Sequence, residues 1–346
     1  MPKADGKVEE ARYDFPEVSH NLPDLRLMTR VARLYHEGGL NQIEVGDRLG
    51  LTQVAVCRLL KKAEKHGIVR TTVFTPPGTF ADLERLLEEK FSLTQAIVGY
   101  AIRDSEDSVL KAIGSAAAQF IESTLKRGEV IGISSWSESL LSMVEHMHRP
   151  RKAENCLVVQ MLGGIGSPSA EQHANRLATR LAGLVHGNAR FLPAPGIVGS
   201  GSAAKLFAED PYVREVTALF DKVTLALVGV GSMEPSGLAA SSGNIFSREE
   251  LEALQRKGAV GDICFRFYDV RGCEVNGSFD GRVIGIALTS LRHVPRSVAL
   301  CGGKRKFAAI LGALRGKWIN TLITDQYTAE RLVKAESGKP CLPDPR

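Results

Sequence analysis

Apolar residues at Val45, Leu49, Leu51, Val56 and Leu60 recur at helical spacing on either side of Gly50. This pattern predicts two short amphipathic helices sharing one small core. Gly46 then lies at the crossing, where a side chain larger than Ala would push the helices apart, and Gly50 gives the turn its backbone freedom. Thr52 stands where an N-cap belongs; its hydroxyl can accept from the free amides of the second helix, although Ala55 cannot complete a capping box. Upstream, Pro23 suits a first helical position, and Leu27, Val31 and Leu34 predict a bracing helix that Gly38 and Gly39 stop. Downstream, IVRTTVF (residues 68–74) alternates as a strand, a wing closed by Pro76, Pro77 and Gly78. The expected domains are a disordered polar tail over 1–20, a winged helix-turn-helix over 21–75, a linking helix within 76–92, and a large domain over 93–346.

From Gln95 the pattern changes. Short apolar runs (AIVGYA, VIGIS, CLVVQML, VTLALVGVG, ICFRFYD, RVIGIAL, SVALCGG, TLITD) alternate with helical segments near 108–127, 137–148, 170–184 and 304–314. Alternation of this kind predicts a doubly wound, mostly parallel α/β sheet covered on both faces, with ligands at the carboxyl ends of its strands. Several runs end in small loops rich in amides: Gly132, Ser134 and Ser135; Gly163 and Gly164; Gly229 and Gly231; Gly302 and Gly303. All of these open on one edge of such a sheet. Ser134, Ser135 and Ser137, ahead of a helix containing Leu140, could present amides and hydroxyls to an anion, and Gly302-Gly303 before Lys304 offers a second such terminus. The bland alternatives are an ordinary strand-to-helix turn at Ser134 and close backbone approach at the glycines.

If Val56 and Leu60 face inward, Gln53, Val54, Cys57, Arg58 and Lys61 face outward, with Gln53 and Val54 nearest the helix start that meets base edges in this motif. Gln pairs with adenine, Arg with guanine, and Val54 or Cys57 can touch a thymine methyl. Lys61, Lys62 and Lys65 suit phosphates. Charge supports the reading: residues 21–75 carry nine basic and five acidic side chains, so +4 of the chain's net +5 lies in this short segment.

At 346 residues and 44% apolar composition the chain has room for a large core plus an accessory domain. No apolar run approaches a bilayer span, and the N-terminus has no hydrophobic stretch behind its charges, so a cytoplasmic protein without a membrane partner is expected. The six cysteines are scattered, with no CxxC pair and no His at metal spacing; they read as reduced thiols, with no metal site.

With both halves in view, the chain resembles the SorC family of bacterial sugar-sensing transcriptional regulators. The likeness runs from residue 27 to 332 and rests on the order and spacing of RLLKKAEKHGIV, GISSWSESL, VVQMLGG, FLPAPGIV, ALVGVGSMEPSG, GAVGDICFRFYDVRG, GRVIGIAL and ALCGGKRKFAAILGALRGKWINTLITDQYTAERLV. The resemblance implies a winged helix-turn-helix followed by an effector domain similar to sugar-phosphate isomerases and glucosamine-phosphate deaminases. It also implies a homotetramer arranged as a dimer of dimers, operator DNA as partner, and a phosphorylated sugar or polyol as effector, with no cofactor. Asp262 and Lys306 match the family's acidic and basic positions; Asp262 would accept from sugar hydroxyls, its alternative role being a local turn cap, and Lys306 would add positive charge. Trp136 departs from a position where many members carry Gly or Thr, and it would either stack on a sugar or be buried. Lys304 and Arg305 suggest a ligand with more than one anionic group. The expected function is a DNA-binding regulator of carbohydrate or polyol metabolism, without catalytic residues. The alternatives are a sugar-phosphate isomerase or deaminase with an appended helix-turn-helix, for which Asp262, Glu234 and Asp280 are present without a histidine among the strand-end loops, and a ligand-free assembly scaffold.

Overall fold

A computed structural model of the chain describes residues 22–69, 79–134, 137–150, 153–164, 168–233, 247–277 and 280–336. It divides into two compact units, Met1–Phe74 and Thr75–Arg346. In the first, α1 (Leu22–His36), α2 (Gln42–Leu49) and α3 (Gln53–Lys65) enclose Val31, Val45, Val56 and Leu60, all buried. Asn41 caps α2 in a reciprocal box with Glu44, its Oδ1 accepting from the Ile43 and Glu44 amides and its own amide donating to Glu44 Oε2. Gly50 ends α2 at φ +68, the left-handed conformation that favours glycine. Most of the expected wing strand lies outside the described residues; Ile68 and Val69 pack half-buried against Met28, Ala32 and Ala63.

The second unit opens with α4 (Ala81–Phe91), followed by β1 (Gln95–Gly99), α5 (Glu106–Thr124), β2 (Val130–Ile133), α6 (Glu138–His146), β3 (Leu157–Gln160), α7 (Pro168–Leu184) and β4 (Asn188–Arg190). Then come α8 (Gly201–Glu209), α9 (Pro211–Thr217), β5 (Leu225–Gly229), β6 (Gly231–Ser232), α10 (Arg248–Arg256), β7 (Ala259–Ile263) and β8 (Arg266–Asp269). The chain finishes with α11 (Leu288–His293), β9 (Arg296–Leu300), α12 (Phe307–Arg315), β10 (Thr321–Asp325) and α13 (Gln326–Lys334). Seven strands form one parallel sheet in the order β1-β10-β9-β5-β2-β3-β4. Alternate residues of its strands enter opposite cores, as a sheet buried on both faces requires. Leu225 and Leu227 point with Ile131, Ile133 and Leu300 toward α5, α6 and α7, whereas Ala226 and Val228 point with Leu322 toward the other face.

Four expectations are corrected. The ICFRFYD run does not join the parallel sheet; it supplies the end of β7, a tight turn and β8 in a separate antiparallel sheet with β6. RVIGIAL is no strand and makes only single bridges, Val283 to Ile197 and Gly285 to Leu162. The helix expected as a link packs Leu87, fully buried, into the second unit's core. It also closes the edge of β1, because Glu84 Oε1 accepts from the Val98 amide and Glu88 Oε1 from the Ala96 amide, each at 2.9 Å. Cys57, Cys156, Cys264 and Cys301 are free thiols, but Cys273 is disulfide-bonded, against the expectation of six reduced cysteines. No described helix is long and apolar enough to cross a membrane.

Candidate effector site and DNA-reading surface

Strands β2, β3 and β4 step toward one edge of the sheet, and β5, β9 and β10 toward the other, so the strand order reverses between β2 and β5. A crevice opens at the carboxyl ends of the two strands flanking such a reversal. Ser134 follows β2 and Gly229 ends β5. Ser134 Oγ accepts from the Gly229 amide at 3.0 Å, and the Ser134 amide donates to Leu227 O at 3.0 Å, so this serine sews the two strand ends together. Ser137 caps α6, its Oγ accepting from the Leu140 amide at 3.3 Å. A Cβ on Gly229 would stand 2.5 Å from Ser137 Oγ, so close approach demands glycine there. Ser135 and Trp136 lie outside the described residues.

Gly231 of β6 pairs with Asp262 of β7, and the Asp262 carboxylate sits where a side chain on Gly231 would go. Asp262 Oδ2 accepts from the Phe265 amide at 3.0 Å, so the residue does cap its local turn. Burial pushes its carboxyl up to about 6, against the pull of that amide and of Lys306. Lys306 closes the 3-10 turn Lys304–Lys306 that leads into α12. Burial lowers its ammonium, and Cys301, Arg305, Glu138 and Asp262 stand within electrostatic reach. Among the described residues no carboxylate lies within 4 Å of it, whereas Lys304 pairs with Asp104 at 3.1 Å and Arg305 with Glu106 at 3.0 Å. Lys304 and Arg305, expected to favour a second anionic group, each hold a carboxylate in this structure, Asp104 ahead of α5 and Glu106 at its first position.

The other glycines divide. Gly163 donates to Ile284 O at 3.1 Å and Gly164 to Ala194 O at 2.8 Å, while Gly196 returns a bond to Gly164 O. Their amides are spent, and a Cβ on Gly163 would stand 2.7 Å from Gly196 N. Gly132 is buried, and a side chain there would collide with Met161. The Gly303 amide donates to Thr328 Oγ1 at 2.8 Å, and a side chain on Gly302 would strike Asp325. The loop-amide reading gives way at Gly163, Gly164 and Gly303, whose amides are bonded within the fold, while Gly132, Gly163 and Gly302 are needed for close packing. Glu138, directly after Ser137, was not singled out from the sequence, although a carboxylate in the first turn behind a serine cap was visible in SSWSES.

In the first unit Thr52 Oγ1 accepts from the Ala55 amide at 3.3 Å and starts α3 as expected. Gln53, Arg58, Lys61 and Lys62 are exposed and Cys57 half-buried. Val54 is 67% exposed, an apolar side chain left facing water on the surface expected to meet bases. Gly46 is buried, and a Cβ there would stand 2.6 Å from Leu51 O, so even alanine does not fit. Arg26, Arg30 and Arg33 line a groove of about 420 Å³ on α1. They lie on the side of that helix opposite Met28, Val31 and Ala32, which pack toward α3. Three of the nine basic residues thus point away from the α3 surface, and the charge argument for DNA rests on the remainder.

The Sugar-bind family of sugar-binding domains matches residues 76–334. The deoxyribonucleoside regulator of Bacillus subtilis is 31% identical over 308 residues, 89% of this chain and 97% of that protein. The chain belongs to the SorC family of transcriptional regulators. The crystal structure of the full-length sorbitol operon regulator SorC from Klebsiella pneumoniae superposes with a TM-score of 0.68 at 29% identity. The match covers 91% of this chain and all of that one. The LsrR transcriptional regulator of Escherichia coli is 30% identical over 89% of the chain and 94% of its own length. These relatives are named as transcriptional regulators, and the chain is a regulator of the same kind.

Proposed function

We propose that this regulator reads operator DNA with the outer face of α3, and that a phosphorylated sugar or polyol bound near Ser134, Asp262 and Lys306 controls it. The observation that carries the effector reading is Lys306. Its two neighbours in the same turn are ion-paired, whereas its own ammonium, beside the reversal of strand order, has no carboxylate within 4 Å among the described residues. An ammonium with no carboxylate in contact, next to a helix start, suits an anion, and Asp262 near it suits a hydroxyl of the same ligand. The sorbitol and deoxyribonucleoside names of relatives support a ligand rich in hydroxyls, the part of it that Asp262 would meet. On the DNA side, Gln53, Val54, Cys57 and Arg58 would read bases and Lys61 and Lys62 phosphates. A homotetramer is the assembly expected for the family, and light scattering on the purified chain tests it.

Calorimetric titration with matched pairs, each sugar or polyol beside its phosphate ester, tests the effector reading. The phosphate ester should bind and the free sugar should not. Lys306→Gln should weaken binding by roughly 10- to 100-fold, the worth of one charge-assisted hydrogen bond. Equal binding of both members of a pair, or no effect of Lys306→Gln, would overturn it.

A further inference from the structure

Helix α4 runs antiparallel to β1, because Glu84 meets Val98 and Glu88 meets Ala96. Its first turn, and Phe80 before it, therefore stand at the carboxyl end of β1, the same edge of the sheet that carries Ser134 and Lys306. Phe80 stacks on Tyr100, ring centroids 6.4 Å apart and planes 15° from parallel. Tyr100 begins the short segment between β1 and α5, which is fastened at three points. Gln326 exchanges two buried hydrogen bonds with the Ala101 backbone, at 2.7 and 2.6 Å. Asp104 pairs with both Lys304 and Arg331. Glu106, the first residue of α5, pairs with Arg305. Lys304 and Arg305 belong to the same 3-10 turn as Lys306, and Gly303 ahead of that turn has φ +92, a joint that glycine alone takes without strain.

We infer that the turn carrying Lys306 and the root of α4 form one linked element, Lys304 and Arg305 through Asp104 and Glu106 to Tyr100 and Phe80. Occupancy of the effector site is thereby reported at the point where the chain leaves this unit for the DNA-binding one. The inference rests on the reading that Lys306 holds an anion. A ligand that draws in Lys306 moves residues 304 and 305 with it, since a single 3-10 turn has no slack between successive residues. Asp104 is held by cations from two directions, so a shift of Lys304 changes its balance against Arg331. Gln326 holds the backbone at Ala101, so a shift of Asp104 and Glu106 turns the segment about that point and is passed to Tyr100 on its other side. Phe80 then has either its present stacking partner or a displaced one. Coupling of this kind requires the ligand to favour one of two arrangements, and it is measured by the difference the ligand makes at the far end.

Hydrogen exchange on the full-length chain, with inorganic phosphate against chloride at matched ionic strength, tests this. In the wild type, phosphate should slow exchange over residues 302–307 and also change it over 100–106 and 79–84. In Tyr100→Ala and in Asp104→Asn, the slowing at 302–307 should stay within about twofold of the wild type while the change at 79–84 falls at least about fivefold. Tyr100 is 65% exposed, so its alanine variant leaves the core untouched. A wild type with slowing at 302–307 and none of the change at 79–84 overturns the inference and leaves the anion site standing. Survival of that change in both variants overturns it equally, again without touching the anion site. Absence of slowing at 302–307, or slowing that survives Lys306→Gln, overturns the anion site and the inference together.

Discussion

Replacing Asp262 by Asn should stabilise the second unit at neutral pH. The sign separates a ligand-facing carboxylate from a turn cap. Burial raises the Asp262 carboxyl to about 6, above an ordinary aspartate near 3.9. Above pH 6 the group is charged whether the chain is folded or not, and folding then takes that charge out of water. As pH falls through 6 the folded chain takes up the proton first, so stability rises, levelling off below about pH 4. A gap of about two pH units corresponds to roughly 2.8 kcal/mol at pH 7.5 and roughly half of that at pH 5. The carboxylate is only half-buried, and solvent screening reduces the first figure to roughly 1–2 kcal/mol. Asn keeps an acceptor for the Phe265 amide and removes the charge. For a unit of this size about 1–2 kcal/mol raises Tm by roughly 3–6 °C. Thermal unfolding of wild type and Asp262→Asn at pH 7.5 and pH 5 reads it directly, with the advantage of the variant shrinking at the lower pH. Loss of about 1 kcal/mol at pH 7.5, the usual cost of spoiling a cap, would refute the reasoning and return Asp262 to a local structural role.

Gly46→Ala gains up to about 1 kcal/mol of helix propensity but sets a Cβ 2.6 Å from the Leu51 carbonyl, an overpacking of about 1–3 kcal/mol that backbone cannot relieve cheaply. The first unit should melt earlier and lose operator affinity while the second unit's transition stays in place in calorimetry. Gly229→Ala meets Ser137 at 2.5 Å and should cost the second unit about 1–3 kcal/mol in denaturant titration, with partial rescue by Ser137→Gly. Replacing Glu84 and Glu88 together by Ala leaves the Val98 and Ala96 amides without their acceptors, so exchange at those two amides should accelerate and stability fall by about 1–3 kcal/mol for each group.

The helix-turn-helix and the parallel sheet were legible because each rests on a local period. Val56 and Leu60 recur as a helix demands, and Leu225 to Val228 form an unbroken apolar run, as a strand buried on both faces does. RVIGIAL has the same composition, yet its residues pack as an irregular segment, since an apolar run signals burial and not pairing. ICFRFYD reads as one strand but is not one: the turn at Cys264 and Phe265, both at positive φ, breaks it, leaving Ile263 at the end of β7 and folding Arg266–Asp269 back onto that strand as β8. Within the site, Ser134, Ser137 and Asp262 were visible as residue types at strand ends. What stayed hidden depends on long-range pairing: Lys304 and Arg305 meet Asp104 and Glu106 about two hundred positions away, and the arginines of α1 could be assigned a side only once Met28 and Val31 were seen facing α3.

The central claim is a division of labour, with DNA read by α3 and the effector sensed at the strand ends. The most direct measurement compares operator affinity and sugar-phosphate affinity, each measured on wild type, Arg58→Ala and Lys306→Gln. Arg58→Ala should lose about 1–3 kcal/mol of operator binding, with non-specific DNA much less affected and the sugar phosphate bound as before. Lys306→Gln should bind operator normally and fail to respond to the sugar phosphate. If either variant impairs both activities alike while remaining folded, or if Arg58→Ala leaves operator affinity unchanged, the division does not hold.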